Sequence, residues 1–491
     1  MADFDIFVIG GGVNGAGIAR DAAGRGYSVA LCEQGDLAQA TSSASSKLIH
    51  GGLRYLERFE FRLVRDALRE REVLLRAAPH IVRPLRFVLP HSRDLRPAWL
   101  IRLGLFLYDN LGGRKLLPAS ERLDLRRDPA GRPLASAVTV GFAYSDCRVD
   151  DSRLVVLNAM DAAERGAVVR TRTAVTGLHR RDTAWVVGLR PESGGREETV
   201  TARAVVNAAG PWIGSAVTGA VSKTIRMVKG SHIAVPRLYD GEHAYILQNA
   251  DRRIVFVIPY AADQSLIGTT DADYEGDPGE ARCSDAEIAY LCAAVNRWFD
   301  PGVGPSDVSW AYAGVRPLLD DGTGDAASVT RDYRLDLEPE DGPLLTVVGG
   351  KITTYRKLAE QAADRLQPLL GGGGPHWTAG AALPGGDIPD ADFDAFLAET
   401  KRAYGWIPET LALRLARAYG TRLAEVLNGA KSLAALGTDF GGGLYEAEVD
   451  YLARCEWAAT AEDVLWRRSK LGLRLDDSGK ARLADWFAKR R

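Results

Sequence analysis

Three glycines, Gly10, Gly12 and Gly15, are spaced G-x-G-x-x-G between an apolar run, Ile6 to Ile9, and a small-residue helical stretch, Ala16 to Gly26. Glycines in this position let a backbone approach a pyrophosphate at the dipole-positive end of a helix. Glu33 closes the next apolar run, Ser28 to Cys32, 23 positions after Gly10. A carboxylate there accepts hydrogen bonds from ribose hydroxyls and disfavours a 2′-phosphate. This fingerprint does not separate FAD from NAD, but three further segments do. Thr41 to Leu56, TSSASSKLIHGGLRYL, is a long polar stretch with glycines for which an ordinary NAD dehydrogenase has no use. Val205 to Trp212, VVNAAGPW, is an apolar strand that stops on small residues where a bulky group would collide with a nucleotide. Gly349 to Arg356, GGKITTYR, again joins a strand to a helix through glycines.

Elements that could position these residues follow from periodicity. The opening is a βαβ unit. Arg62 to Arg76 has helical spacing, whereas the Pro- and Arg-rich stretch up to about Gly141 reads as loosely structured. A capped helix is predicted from Asp151 to about Arg165, with short strands around Val168 to Arg170, Ala184 to Leu189 and Val200 to Ala208. Between Arg226 and Tyr333 the runs HIAVP, AYILQ, RIVFVIPY and SLIGTT predict an antiparallel sheet, with one helix from Asp285 to Phe299. Leu344 to Val348 and the helix from Tyr355 return to the first sheet, and amphipathic helices fill the chain after Asp390.

The 491 residues are 46% hydrophobic and 26% charged, which excludes disorder and a polytopic membrane protein. Sixty-two basic against 64 acidic side chains leave a net charge of −2, too little positive field to expect a nucleic-acid partner. Five cysteines without CxxC spacing read as reduced thiols, and no His/Asp/Glu cluster has metal-ligand spacing, so no metal is expected. The N-terminus lacks the basic and apolar regions of a secretory signal.

The blocks TSSASSKLIHGGLRYLE, FAYSDCRVDDSRLV, KGSHIAVP, YILQN, RIVFVIP, IGTTD, AGVRPL, TRDY and GGKITTYRKLAE, with the C-terminal PGG and LWRRSKLGL, run over nearly the whole chain. In that order they closely resemble the FAD-dependent, aerobic glycerol-3-phosphate dehydrogenases of the D-amino-acid-oxidase-like flavoprotein superfamily. The resemblance implies an α/β (α+β) fold. Residues 1–75, 145–225 and 340–370 would form a discontinuous Rossmann-like FAD-binding domain, and 76–144 and 226–339 an interleaved antiparallel-sheet substrate domain. A linker at 371–388 would lead to a C-terminal helical domain at 389–491.

It further implies oxidation of sn-glycerol 3-phosphate at C2 to dihydroxyacetone phosphate by hydride transfer to flavin N5. Electrons would pass on to membrane quinone at the inner face of a bacterial membrane, on a cytoplasmic, peripherally attached protein. A homodimer is among the assembly states left open. Gly10, Gly12, Asn14, Gly15 and Glu33 fall on the phosphate and ribose positions, and Thr41, Ser42, Ser45, Lys47, Leu48, His50 and Gly52 on the loop along the flavin. Gly210, Gly350 and Thr353 complete the cradle, with Val175 as a backbone candidate.

On the substrate side, a phosphate dianion calls for clustered guanidinium groups, and Arg316 and Arg331 fall on the family's phosphate-side arginines. Arg54, Tyr55, His232 and Lys351 match residues that approach the substrate or the flavin face. Loss of hydride from C2 also requires loss of the hydroxyl proton, for which His232 is the first choice of base, although a histidine that only hydrogen-bonds its sheet has the same appearance. Arg316 would also stabilise the forming alkoxide. The other histidines outside the flavin loop, among them His80 and His243, read as surface or packing residues.

Residues 96–115 alternate Trp99, Leu100, Leu103, Phe106 and other apolar side chains with Arg96, Arg102, Arg114 and Lys115, a pattern for an interfacial helix. On the segment alone a core helix with solvated ends is the commoner reading. Three other functions compete: a glycerol-3-phosphate oxidase that uses oxygen, an amine or amino-acid oxidase that needs no phosphate-binding arginines, and a non-catalytic flavin-binding scaffold.

Overall fold

The computed structural model describes residues 2–92, 96–113, 116–216, 225–251, 253–261, 263–320 and 332–490, with backbone only at 58. Two large sheets carry the site. In the first, Phe4–Ile9 lies between Val29–Cys32 and Glu198–Asn207, all parallel, with Val168–Arg170 and Leu344–Gly349 continuing the parallel order outward. Tyr333–Glu338 adds an antiparallel edge. Thr173–Arg181 and Ala184–Pro191 form a hairpin that pairs back onto Glu198–Asn207. The central strand is apolar on both faces because helices Val13–Gly24, Asp151–Glu164 and Tyr355–Leu370 cover one side and the hairpin the other.

Local sequence explains the helix starts. Asp150 caps the helix Asp151–Glu164 by accepting from Arg153 N, and Ser284 with Glu287 forms a reciprocal capping box on Asp285–Asn296. The former helix is buried on almost every side between the first sheet and the C-terminal helices.

Among the described residues the second sheet has ten strands, dominated by the antiparallel series Ile225–Pro236, Gln264–Gly268, Ile254–Tyr260 and Ala244–Gln248. The stretch expected to be loosely structured contributes one of its long strands, Val82–His91, paired over ten residues with Val140–Val149, which begins where that stretch ends. Proline disguised the former. Val82–His91 has a second neighbour only at Phe87 and Val88, and Pro84 and Pro90 lie outside that doubly paired part, where a missing N–H breaks no second ladder.

Sheet membership also crosses the expected borders at 144/145 and 339/340. Val140–Val149 and Leu48–Ile49 belong to the second sheet, and Tyr333–Glu338 to the first. The C-terminal residues form helices Phe393–Ala403, Glu409–Tyr419, Glu446–Cys455 and Asp477–Ala488, with a two-stranded ribbon at Asp439–Tyr445.

Candidate active site

The turn after the first strand is shaped by steric need. Gly10 has φ +106°, and a Cβ there would stand 2.5 Å from the Ala208 carbonyl oxygen; at Gly15 it would stand 1.9 Å from Gly10 O. Gly12 precedes the helix without a side-chain cap of its own, and Val13 N donates to Ser42 Oγ at 3.0 Å. Glu33 is fixed by Gly11 N and Gly35 N, which donate to its two oxygens at 2.6 and 2.8 Å. Asn14 Nδ2 donates to Gly349 O, while its buried Oδ1 has no hydrogen-bond partner. Gly350, at φ +101°, backs this amide, and Gly210, at φ +57°, borders open space. Val175 packs in the cluster under Ile9 and Cys32.

The polar loop after Glu33 is tied to the helices Val13–Gly24 and Asp151–Glu164 and to the second sheet. Thr41 Oγ1 donates to Val315 O at 2.6 Å, joining the loop to the strand Trp310–Leu319. Ser45 Oγ and Lys47 Nζ donate to Asp151 Oδ2 at 2.8 and 2.9 Å. Burial lowers the Lys47 ammonium to about 8 against the pull of Asp151. Burial pushes Asp151 up, but Lys47 and Lys470 outweigh it and hold the carboxyl at about 2. Leu48 pairs with Arg148 in a two-residue strand, and His50 N donates to Thr353 Oγ1 at 3.3 Å. Gly52, at φ +75°, leaves room for the Tyr55 ring, over which Lys351 Nζ sits 3.7 Å from the centroid. Arg54 lies beside Tyr55 in the helical turn Leu53–Arg58.

Across from this loop, His232 is 1% exposed on the strand Ile225–Pro236, directly opposite Gly268 and Tyr312. A Cβ at residue 268 would stand 2.1 Å from the imidazole, so Gly268 makes space for the ring. His232 Nε2 is hydrogen-bonded to Ser46 Oγ at 2.9 Å, its ring stacks on Tyr312, and Nδ1 has no partner. Burial, then Arg316 and Lys47, hold its pKa well below the usual histidine value. Arg316 projects over Gly230, where a Cβ would stand 2.4 Å from the guanidinium, and donates to Asp271 Oδ1 at 2.7 Å and Thr269 Oγ1 at 3.2 Å. Arg331 lies outside the described residues. His80 and His243 are packing residues, His80 fully enclosed and His243 against Tyr239 and Tyr245.

Residues 5–356 match the family described as FAD dependent oxidoreductase, and residues 376–487 the C-terminal domain of alpha-glycerophosphate oxidase. The chain belongs to the FAD-dependent oxidoreductases. It is 55% identical over 490 residues to a glycerol-3-phosphate dehydrogenase of Pseudomonas aeruginosa, covering 99% of this chain and 95% of that one. It is 53% identical over 488 residues to a D-erythritol 1-phosphate dehydrogenase of Brucella abortus, covering 98% and 97%. The crystal structure of a Bacillus halodurans glycerol-3-phosphate dehydrogenase complexed with FAD superposes with a TM-score of 0.78 at 27% identity, over 99% of this chain and 90% of that one.

For a FAD-dependent oxidoreductase the residues present suit the cofactor. A pyrophosphate would be held at the glycine turn and a ribose at Glu33, and the orphaned Asn14 Oδ1 and the space at Gly210 lie just past the ends of the same parallel strands. Five contributors were not anticipated from sequence: Ser46, Asp151, Thr269, Asp271 and Tyr312. The first two sit inside blocks already quoted, and IGTTD carries the next two. Only Tyr312 carries no signal beyond strand alternation. Among the described residues no group of three His, Cys, Asp or Glu side chains could hold a metal, and no helix is long and apolar enough to cross a membrane.

Proposed function

We propose that this chain oxidises sn-glycerol 3-phosphate to dihydroxyacetone phosphate and delivers the electrons to membrane quinone. The observation that carries this reading is a buried imidazole and an anchored guanidinium on adjacent strands that are tied to the polar loop by the bonds to Ser46 and Thr41. Bound FAD supplies the acceptor for the hydride from C2. The protein's own residues do the rest. Arg316, held by Asp271 and Thr269, gives the substrate phosphate a charge-assisted contact, and the family resemblance assigns Arg331 to the same task. The His232 ring takes the C2 hydroxyl proton at whichever nitrogen carries no hydrogen, a choice set by its bond to Ser46. Lys351, steadied over Tyr55, keeps positive charge beside the oxygen as its proton leaves.

Peripheral attachment to the inner face of a membrane is supported by the helix Ala98–Leu111. Ile101, Leu105 and Tyr108 face the core, whereas Trp99 and Phe106 are 68% and 62% exposed, with Phe59 and Leu116 exposed as well. One face thus packs and the other offers apolar surface to acyl chains.

A second reading, oxidation of a longer polyol phosphate, is favoured by the identity to the Brucella abortus D-erythritol 1-phosphate dehydrogenase. Turnover of purified holoprotein with a short-chain quinone decides between them. Glycerol 3-phosphate should far outpace D-erythritol 1-phosphate, glycine and free glycerol, with little peroxide formed. Preference for the tetritol phosphate would replace the substrate, dominant peroxide would replace the acceptor, and preference for an amino acid would overturn the reading.

A further inference from the structure

The block LWRRSKLGL, near the end of the chain, has no place in the chemistry above, yet it reaches the site along two threads. Residues Asp463–Arg468 form a π-helical turn, with Ser469 N donating to Val464 O at 2.8 Å. This wider turn carries Trp466 onto the second sheet, where its ring stacks on Trp310 at 4.9 Å and 19°. Gly472 makes that placement feasible, since a Cβ there would stand 2.4 Å from the Trp466 ring. Trp310 and Tyr312 are two apart on one strand and therefore share a face. Their rings lie 4.7 Å apart, and Tyr312 stacks on His232 at 4.8 Å and 10°. Four rings thus form a column from the C-terminal domain to the imidazole.

The second thread is ionic. Lys470 Nζ donates to Asp151 Oδ1 at 3.0 Å, while the other oxygen of Asp151 receives Lys47 Nζ and Ser45 Oγ. Both threads meet at one place: Tyr312 OH donates to Ser45 O at 2.7 Å, and Lys47 Nζ lies 5.2 Å from the Tyr312 ring centroid. The turn itself is clamped to the nucleotide half, since Arg467 Nε and Arg468 Nη2 bind the fully buried Asp36 at 2.5 and 2.7 Å. A clamped turn can hold a ring plane, because stacked pairs are stable only near particular offsets and tilts.

We propose that Trp466 and Lys470 are positioning residues of the active site: Trp466 sets the plane of His232 through Trp310 and Tyr312, and Lys470 holds the Ser45–Lys47 loop through Asp151. The proposal rests on the role given to His232 above. It makes the C-terminal domain part of the catalytic machinery without contact with substrate.

The test uses full-length holoenzyme carrying Trp466→Leu, Trp466→Phe, Lys470→Met or Lys470→Arg. Trp486→Leu is the control, because Trp486 is a half-buried tryptophan of the same domain bonded to Glu446 and remote from the column. Trp466→Leu should lower kcat about tenfold with KM unchanged, since a small misplacement of a catalytic group costs rate and not phosphate binding. Trp466→Phe should restore most of kcat, Lys470→Met should lower kcat with partial rescue by Lys470→Arg, and Trp486→Leu should leave kcat alone. Hydrogen exchange gives a readout independent of substrate: peptides spanning 225–236 and 310–319 should exchange faster in Trp466→Leu and not in Trp486→Leu.

Unchanged kcat in both Trp466→Leu and Lys470→Met, or equal losses in Trp466→Leu and Trp486→Leu, would overturn the proposal. If Trp466→Leu fails to retain flavin, the lysine pair decides by the same criteria. A wild-type protein inactive on glycerol 3-phosphate would contradict the proposed function, while the exchange pattern would still decide the column.

Discussion

The nucleotide crevice and the imidazole–guanidinium face are built on opposite principles. The crevice works mainly through backbone: its shape lies in what Gly10, Gly15 and Gly350 lack, its side chains Glu33 and Asn14 are held by backbone groups, and all of these lie within a few positions of a strand end. The opposite face works through side chains, His232 and Arg316, whose partners Ser46, Asp271, Thr269 and Tyr312 come from loops and strands far apart in sequence. A backbone-built site fails as a whole when one atom is added. A side-chain-built site loses one function at a time.

Substitutions can break or sharpen that contrast. The largest effect is expected from Gly15→Ala, whose Cβ would stand 1.9 Å from Gly10 O: the purified protein should be colourless, as read from its visible spectrum. Next, Arg316→Ala should lower kcat/KM about 1,000-fold, mostly through KM and with flavin retained, because a charge-assisted phosphate contact is lost and Asp271 is left without that partner. His232→Ala should lower kcat about 100-fold with flavin and KM nearly unchanged. If Arg316→Ala or His232→Ala also emptied the protein of flavin, the two regions would not be separable as described.

The pH dependence sharpens the second half of the contrast. A histidine whose folded pKa is depressed stays neutral, and able to accept a proton, as pH falls through 6.5. The acid limb of kcat should therefore lie clearly below pH 6.5. Because the unfolded chain would bind that proton first, the same group makes the fold less stable as pH drops below 6.5, the opposite of a histidine paired with a carboxylate. A kcat profile with its acid midpoint at the ordinary histidine value would contradict the burial-driven shift. The smallest effect is expected from Trp99→Ser with Phe106→Ser: a several-fold loss of binding to anionic lipid vesicles in a flotation assay, with quinone-analogue turnover unchanged in detergent.

The same contrast explains what could be read in the sequence. Gly10, Gly12, Gly15 and Glu33 were legible because a strand, a turn and a helix follow one another without interruption, so spacing alone conveys geometry. His232 and Arg316 could be named only through the resemblance of their blocks, since nothing in spacing tells that residues 46 and 232, or 271 and 316, are neighbours. The strand Val82–His91 was obscured by two prolines that an edge-like position tolerates. The segment 96–115 read as either a core helix or an interfacial one, and its helix Ala98–Leu111 has one buried and one exposed apolar face. Lys470 and Trp466 lay in a quoted block, but their reach to Asp151 and Trp310 depends on a π-helical turn that no periodicity reveals.

The central claim is that a FAD-dependent oxidoreductase carries here a face built for a phosphorylated alcohol. Anaerobic addition of sn-glycerol 3-phosphate to the yellow protein, followed by absorbance at about 450 nm, tests it most directly, with free glycerol and a D-amino acid as controls. The account predicts rapid bleaching by the phosphate ester alone. An unchanged spectrum with flavin bound, or bleaching by the amino acid, would contradict it.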